Sequence, residues 1–396
     1  MGEIQRFVLL LVAGTAVSVA ARWLRVPYTL ALLVLGLVLG AMEYSPVLAL
    51  SSEVILLLFL PPLLFEAAFV LDLQRLWRHR LGVLTLAVVG VSLATAVAGG
   101  LTYTGAGLPW TVALLFGTMV AATDPVAVLA IFRQLGVDED LSILLEGESL
   151  LNDGIALVLF STLVTTVNDG FEPSAALVTL GWSVIGGVTI GLAAGLLGYV
   201  LLARTDDHLT EMLVSVAVAY GTFLVAEEVH ASGVLATLAA GMALGRAGRT
   251  RTGLLISGSQ PLVDLWSFLA FVANAALFLE LGMTVRATDL FDYRTSVIWG
   301  IAAALVGRAV VAYAMGPAMT PLGSPVSVRE QHVLFWGGLR GAVALAAALS
   351  LPPEFPHQAE LLAMTYGVVL FTLLVQGLTI GSLVRALGLV RHIPDS

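Results

Sequence analysis

The sequence predicts an all-α polytopic membrane protein of thirteen transmembrane helices, on three observations. Of its 396 residues, 59% are hydrophobic and only 11% charged, where a soluble chain carries roughly 25% charged residues. Apolar runs of membrane-crossing length recur along the whole chain, divided by polar or Gly/Pro-rich breaks. The arginines gather on one side of the array that those runs define. This composition excludes a soluble enzyme, a disordered chain and a nucleic-acid partner, and makes the lipid bilayer the solvent. The net charge is −9 and every basic residue is Arg, from which we draw no mechanism. Cys is absent, so disulfides, thiolate catalysis and Cys-ligated metals are ruled out. No cofactor is expected.

A span needs about 20 apolar residues to cross a hydrocarbon core of about 30 Å. By that measure the spans lie near 4–22, 26–42, 54–72, 81–102, 108–134, 141–167, 173–203, 208–229, 231–245, 260–284, 294–317, 327–350 and 360–388. They make one transmembrane domain over 1–396, ending in a short tail at 389–396. Span 7 (173–203) is long enough to hide an extra break, and span 9 (231–245) is short. Ser18-Val19-Ala20 resembles a signal-peptide cleavage site, but Arg6 is offset by Glu3, so span 1 is read as a membrane helix.

Thirteen of the 18 arginines lie in loops after odd-numbered spans or in the tail, among them Arg22, Arg75, Arg133, Arg246 and Arg391. Arg6, Arg286 and Arg294 lie on the opposite side, and Arg308 and Arg340 lie within spans. Basic residues mark cytoplasmic loops. The N-terminus is therefore expected outside and the C-terminus in the cytoplasm.

Span 2 reads Leu30-Ala31, Gly36 and Leu39-Gly40, and span 9 repeats this spacing as Leu235-Ala236, Gly241 and Leu244-Gly245. Spans seven apart cross in opposite directions. The pattern is that of an inverted repeat, residues 1–167 against 208–388, with 173–203 as linker. Span 5 then corresponds to span 12, and both carry a breaker. Thr123-Asp124-Pro125 interrupts the first, because proline lacks a donor and pushes the preceding residue out of helical geometry. Gly337-Gly338-Leu339-Arg340-Gly341 loosens the second. Interrupted spans at matching places in two halves mark a transport site.

Charged side chains inside spans are costly and point to function. Span 6 holds the densest group, Glu146-Gly147-Glu148-Ser149-Leu150-Leu151-Asn152-Asp153. Ser149 and Asp153 share a helix face at i,i+4, as do Glu148 and Asn152 on the adjoining strip. Asp124, Glu66, Arg308 and Arg340 bring further charges from spans 5, 3, 11 and 12. Low dielectric penalises a bare carboxylate, so a cation and a proton compete for it. That competition is the physics of an exchanger. Oxygens from Asp153, Asp124, Ser149 and the Thr123 carbonyl suit a small hard cation. Glu148 is read as structural, with Arg308 as first-choice partner and Arg340 as the alternative. Arg340 otherwise balances the half-helix dipoles. Glu146, Glu211, Glu227, Glu228 and Asp264 are read as wetted helix ends, and no His sits in mid-span to serve as a relay.

Gly147-Glu148-Ser149-Leu150-Leu151-Asn152-Asp153, Asp124-Pro125-Val126-Ala127-Val128 and Gly338-Leu339-Arg340-Gly341-Ala342 resemble signatures of cation/proton antiporter family 1, the NhaP-type and animal sodium/proton exchanger group. Phe59-Leu60-Pro61-Pro62-Leu63-Leu64-Phe65-Glu66 resembles its third-helix motif. The resemblance runs from span 2 to span 13. It implies an inverted-repeat fold with two crossed broken helices, like the related sodium/proton antiporter that serves as a standard inverted-repeat example. It further implies a homodimer in which a core bundle moves against a dimerisation bundle. Asp153 takes the place of the proton and cation carrier. Asp124, Thr123, Ser149 and Glu66 take those of cation-site contributors, and Glu148 with Arg308 that of a structural ion pair. Asn152 stands where electrogenic relatives have a second Asp, and Arg308 where they have a Lys.

A neutral amide carries no second proton and Arg does not deprotonate at working pH, so exchange of one proton per monovalent cation is expected. The reading is a secondary antiporter exchanging cytoplasmic Na⁺ (or Li⁺) for H⁺ in a prokaryotic inner membrane, without a long regulatory tail. A potassium/proton antiporter of the same fold is the alternative. A passive cation channel and an intramembrane aspartyl protease built on Asp124 and Asp153 are more distant. The chain lacks the Gly-x-Gly-Asp string of such proteases.

Overall fold

In hydrocarbon each backbone N–H and C=O must be satisfied within the protein, which drives apolar segments into helices. The computed structural model describes residues 28–42, 52–169, 173–205, 207–250 and 259–390, with Gly14, Val17 and Trp23 besides. The predicted span 4–22, apart from Gly14 and Val17, lies outside the described residues, as do Ser18-Val19-Ala20, Arg6, Arg22, Arg25, Arg251 and residues 391–396 of the tail. From 26–42 onward every predicted span falls on a helix or on two half-helices.

In chain order these are α1 (Tyr28–Ala41), α2 (Ser52–Val70), α3 (Leu73–Arg78), α4 (Arg80–Gly105), α5 (Trp110–Ala121) and α6 (Val126–Leu135). There follow α7 (Glu139–Asp169), α8 (Pro173–Leu202), α9 (His208–Glu228), α10 (Gly233–Thr250) and α11 (Ser259–Thr284). Last come α12 (Ala287–Asp292), α13 (Arg294–Met319), α14 (Val328–Trp336), α15 (Ala342–Leu349) and α16 (Gln358–Ala386). Eight helical stretches among the described residues are long and apolar enough to cross a membrane, and three shorter ones are apolar. Span 7 is one uninterrupted helix of 30 residues, so it hides no break. Helix α2 continues through Pro61 and Pro62. Two π-turns, Leu86–Gly90 in α4 and Thr372–Gly377 in α16, carry no sequence mark that we recognised.

The glycines shared by spans 2 and 9 sit at close backbone crossings. On α1, Gly36 lies against the backbone of Leu279 and Gly282 on α11, and Gly40 against Met283. On α10, Gly241 and Gly245 lie against the backbone of Phe65 and Phe69 on α2. Only a residue without Cβ lets the axes approach this closely.

Three loops meet on one face. His79 Nδ1 is 2.9 Å from Ser324 Oγ and its Nε2 is 3.5 Å from Asp140, while Arg75 pairs with Glu139. These residues follow spans 3, 5 and 11, which the arginine count puts on one side. Polar caps start the helices at the interfaces. Asp72 accepts the N–H groups of Gln74 and Arg75 at 3.0 and 3.2 Å ahead of α3. Hydrogen bonds from Thr210 ahead of α9 hold the Asp207 carboxyl below the usual range. Glu211, read from sequence as a wetted helix end, is instead buried against His208, and Glu280 is buried on α11.

A Cβ at Gly282 would lie 2.8 Å from the Gly36 Cα. Gly282→Val is therefore expected to destabilise the protein by roughly 1–3 kcal/mol through overpacking. Thermal melting in detergent checks this, and unchanged melting would deny the α1–α11 contact.

Candidate functional site

The helix of span 5 stops at Ala121 and resumes at Val126. Pro125 carries no N–H to continue α5, and the Asp124 carboxylate instead accepts the Val126 N–H at 3.0 Å, capping α6. The helix of span 12 stops at Trp336 and resumes at Ala342. The two breaks touch: the Asp124 N–H donates to the Leu339 carbonyl at 2.8 Å. Gly341, at the head of α15, faces the Asp124 side chain with no room for a Cβ. Asp124 thus lies where the N-terminal ends of α6 and α15 converge, and those ends carry partial positive charge.

Helix α7 supplies the third wall. Ser149 donates to the Thr123 carbonyl. Asn152 donates to Thr123 Oγ1 at 2.8 Å and accepts the Thr123 N–H at 3.4 Å. Both ends of the Asn152 amide are therefore engaged in holding the break. Asp153 comes one residue later, and its Oδ1 is buried with no hydrogen-bond partner among the described residues. The Asp153 carboxyl lies beside the Thr123 backbone N–H and within the fields of Asp124 and Arg340. The structure therefore brings Asp153, Asp124, Ser149, Thr123 and Asn152 together. Glu66 stands apart from this hydrogen-bonded cluster. On α2, it accepts Ser267 Oγ of α11 at 3.3 Å, within electrostatic reach of Asp124 and Arg133.

The remaining charges have separate partners. Arg308 of α13 forks onto the Glu148 carboxylate, with Nη2 at 3.0 Å from Oε2, and its Nε donates to Leu334 O at 2.9 Å. Both side chains are buried. A Cβ at Gly338 would lie 2.7 Å from Arg308 Nε, so glycine is required there for close approach. Arg340 does not pair with Glu148. Its Nη1 donates to the Gly338 carbonyl at 2.7 Å and its Nη2 reaches Ala304 O at 3.4 Å, against the negative end of α14. Its Nε is buried without a partner among the described residues.

Sequence reasoning passed over Tyr28, Ser267 and Thr372. Tyr28 stacks on Phe271 at 5.0 Å between centroids and lies within the fields of Asp124 and Glu66. Thr372 accepts the Arg340 N–H at 3.3 Å. The inverted repeat expected from sequence would make span 13 the counterpart of span 6, a signal that could have drawn attention to the polar residues inside span 13.

A profile of the family described as sodium/hydrogen exchanger, transmembrane, matches residues 7–386. The Na⁺/H⁺ antiporter ApNhaP of Aphanothece halophytica is 38% identical over 386 residues, covering 95% of this chain and 73% of that protein. The Na⁺/H⁺ antiporter NhaH of Halobacillus dabanensis is 35% identical over 400 residues, covering 97% of this chain and 98% of that protein. Among solved structures, the sodium proton antiporter MjNhaP1 of Methanocaldococcus jannaschii at pH 8 superposes with a TM-score of 0.80 at 21% identity, over 97% of this chain and 98% of that one. The fold is the one those coordinates display.

Removing one member of a buried ion pair strands the other charge, at about 3–5 kcal/mol. Glu148→Leu is expected to lower thermal stability by an amount of that order, and Glu148→Leu with Arg308→Met to recover most of it. Equal losses in the single and double variants would show that the pair is not coupled.

Proposed function

The chain belongs to the transmembrane sodium/hydrogen exchanger family, in the NhaP-type group of cation/proton antiporter family 1, and from that premise we propose that it exchanges one Na⁺ for one H⁺ at Asp153. Its relatives' activity supports sodium/proton antiport and a transporter rather than an enzyme. The observation that carries the finer reading is the unpartnered Asp153 oxygen beside Asp124, Ser149 and the Thr123 break. The other charges at the crossing each meet a partner of their own. Glu148 pairs with Arg308, Asp124 meets two helix N-termini, and Arg340 meets a C-terminus.

Asp153 takes either a cation or a proton. Na⁺ is held by its carboxylate with Asp124, Ser149 and Thr123 oxygens, and Glu66 attracts it on approach. A proton neutralises the same carboxylate and releases the cation. Both loaded states carry the same net charge. Asn152 adds no second titrating group, and Arg308 stays protonated. Movement of the loaded site therefore transfers no net charge, which is electroneutral exchange.

The burial of the half-helices supports alternating access. All eight residues of α15 and nine of the twelve in α5 are buried. On the other side of the crossing, only Val128, Leu129 and Phe132 of α6 and Gln331, Val333 and Leu334 of α14 are buried. Thr118, Met119, Ala122, Ala156, Leu157, Phe160, Val343 and Ala347 line a narrow cleft between α5, α7 and α15. This is the arrangement of a site closed toward the α5 and α15 side and approached from the α6 and α14 side. With the arginine bias, the open side is the cytoplasm. The reading extends to a single transmembrane domain of two inverted repeats, residues 1–167 and 208–388 with 173–203 between them. It extends also to a homodimer with its N-terminus outside and its C-terminus in the cytoplasm. The matched crossings of Gly36 and Gly241 support the repeat.

Asp153→Asn is expected to abolish cation-dependent proton flux in proteoliposomes while the protein still purifies as a folded species. Robust flux in that variant would refute the reading. Imposed membrane voltage should change neither the rate nor the end-point of exchange, and voltage-driven accumulation would rule out one-for-one stoichiometry. Titration in turn with Na⁺, Li⁺ and K⁺ decides the transported ion, a K⁺ preference favouring the potassium alternative.

A further inference from the structure

A broken helix frees backbone groups that the membrane cannot solvate, so each must be traced to a partner. In the break between α14 and α15, the Leu339–Arg340 peptide has left the helical ladder. Its carbonyl accepts the Asp124 N–H at 2.8 Å. Its N–H donates to Thr372 Oγ1 at 3.3 Å. A trans peptide directs its C=O and N–H to opposite sides of one rigid plane, and the described residues contain no cis bond. One peptide therefore bridges Asp124 on one side and α16 on the other. The Thr372 hydroxyl in turn donates to Val369 O at 3.1 Å, which completes a chain of three hydrogen bonds from Asp124 into α16. Hydrogen bonds in such a chain polarise one another.

The sequence of α16 is shaped to this contact. Thr372 opens the π-turn Thr372–Gly377, a wider turn often found at functional sites. Leu339 is buried, and its Cδ1 lies 3.7 Å from where a Cβ on Gly377 would stand. Trp336 Nε1, at the end of α14, donates to Thr379 Oγ1 of α16 at 2.8 Å. The π-turn and the first turn after it thus seat the break and the end of α14, and Thr372 itself is 2% exposed.

We propose that Thr372 is a positioning residue of the ion site, orienting the Leu339–Arg340 peptide that holds Asp124 in place. The inference rests on reading Asp124 as a cation ligand. Thr372 touches no ion. It acts through the peptide plane, and its loss lets the Asp124 backbone and carboxylate drift from the geometry a small cation requires.

The test compares Thr372→Val, which keeps the shape and loses the acceptor, with Thr372→Ser, which keeps the acceptor. Both are read as proton flux in proteoliposomes titrated with Na⁺ and Li⁺. Thr372→Val should raise the apparent KM for Na⁺ about tenfold, the equivalent of one lost hydrogen bond of ~1.4 kcal/mol, with the rate at saturation and the KM of Thr372→Ser each within about twofold of wild type. An unchanged KM in Thr372→Val, or an equal defect in Thr372→Ser, would overturn the proposal. So would a fall in saturating rate alone, the mark of a merely structural role. If Thr372→Val does not fold, Thr372→Ala in the same assay decides by the same criteria. Asp124→Asn run alongside separates the two readings. Flux lost there with a normal KM in Thr372→Val overturns this inference only, whereas Asp124→Asn with wild-type flux overturns the site beneath it.

Discussion

The hydrogen bond from the Asp124 N–H to the Leu339 carbonyl joins two breaks that neither helix would tolerate alone. In lipid an unwound turn leaves several polar groups bare, each at a cost of several kcal/mol. Here the two unwound turns satisfy each other and the flanking helices. Ser149 and Asn152 take the Thr123 groups from one side, and Thr372 takes the Arg340 N–H from the other. The crossing thus satisfies most of its own donors and acceptors, and among the described residues Asp153 Oδ1 and Arg340 Nε are left without a hydrogen-bond partner.

The charges follow the same logic. A fixed ion pair, Glu148–Arg308, binds α7 to α13 and, through Leu334 O, to the end of α14. Such a pair adds little net stability against an apolar replacement, but it fixes the register of α7. The Ser149, Asn152 and Asp153 side chains follow within five residues on that same helix. The four helix ends at the crossing carry opposed partial charges, and Asp124 and Arg340 sit at the ends of opposite sign. Asp153 keeps one oxygen free of any hydrogen bond among the described residues, with Arg340 acting on it from a distance.

Close packing around the crossing comes from residues that lack side chains. Gly338 admits Arg308, Gly341 admits Asp124, and Gly36 with Gly282 lets α1 and α11 meet backbone to backbone. The same device serves the crossing of the two breaks and the helices that flank it. The asymmetry between the buried α5 and α15 and the more open α6 and α14 shows that the two sides of the crossing are packed differently.

Local chemistry made much of this protein legible as sequence. Apolar length marked the spans from 26–42 onward, because crossing hydrocarbon is a one-dimensional requirement. Proline at 125 and glycines at 337, 338 and 341 marked the breaks, because they act on their own backbone. Helical periodicity put Ser149 and Asp153 on one face. Partner choice was not local. Glu148 had two candidate arginines, and the three-dimensional course of α13 and α14 decided for Arg308. Glu66 was grouped with Asp153 by motif, yet the structure seats it against Ser267 on α11. The seating of the Leu339–Arg340 peptide on Thr372 depends on a π-turn, a backbone register that composition and hydrophobic period do not encode. Sequence determined which groups are costly in a membrane. Only tertiary contact decided which of them are satisfied, and that left one oxygen of Asp153 open.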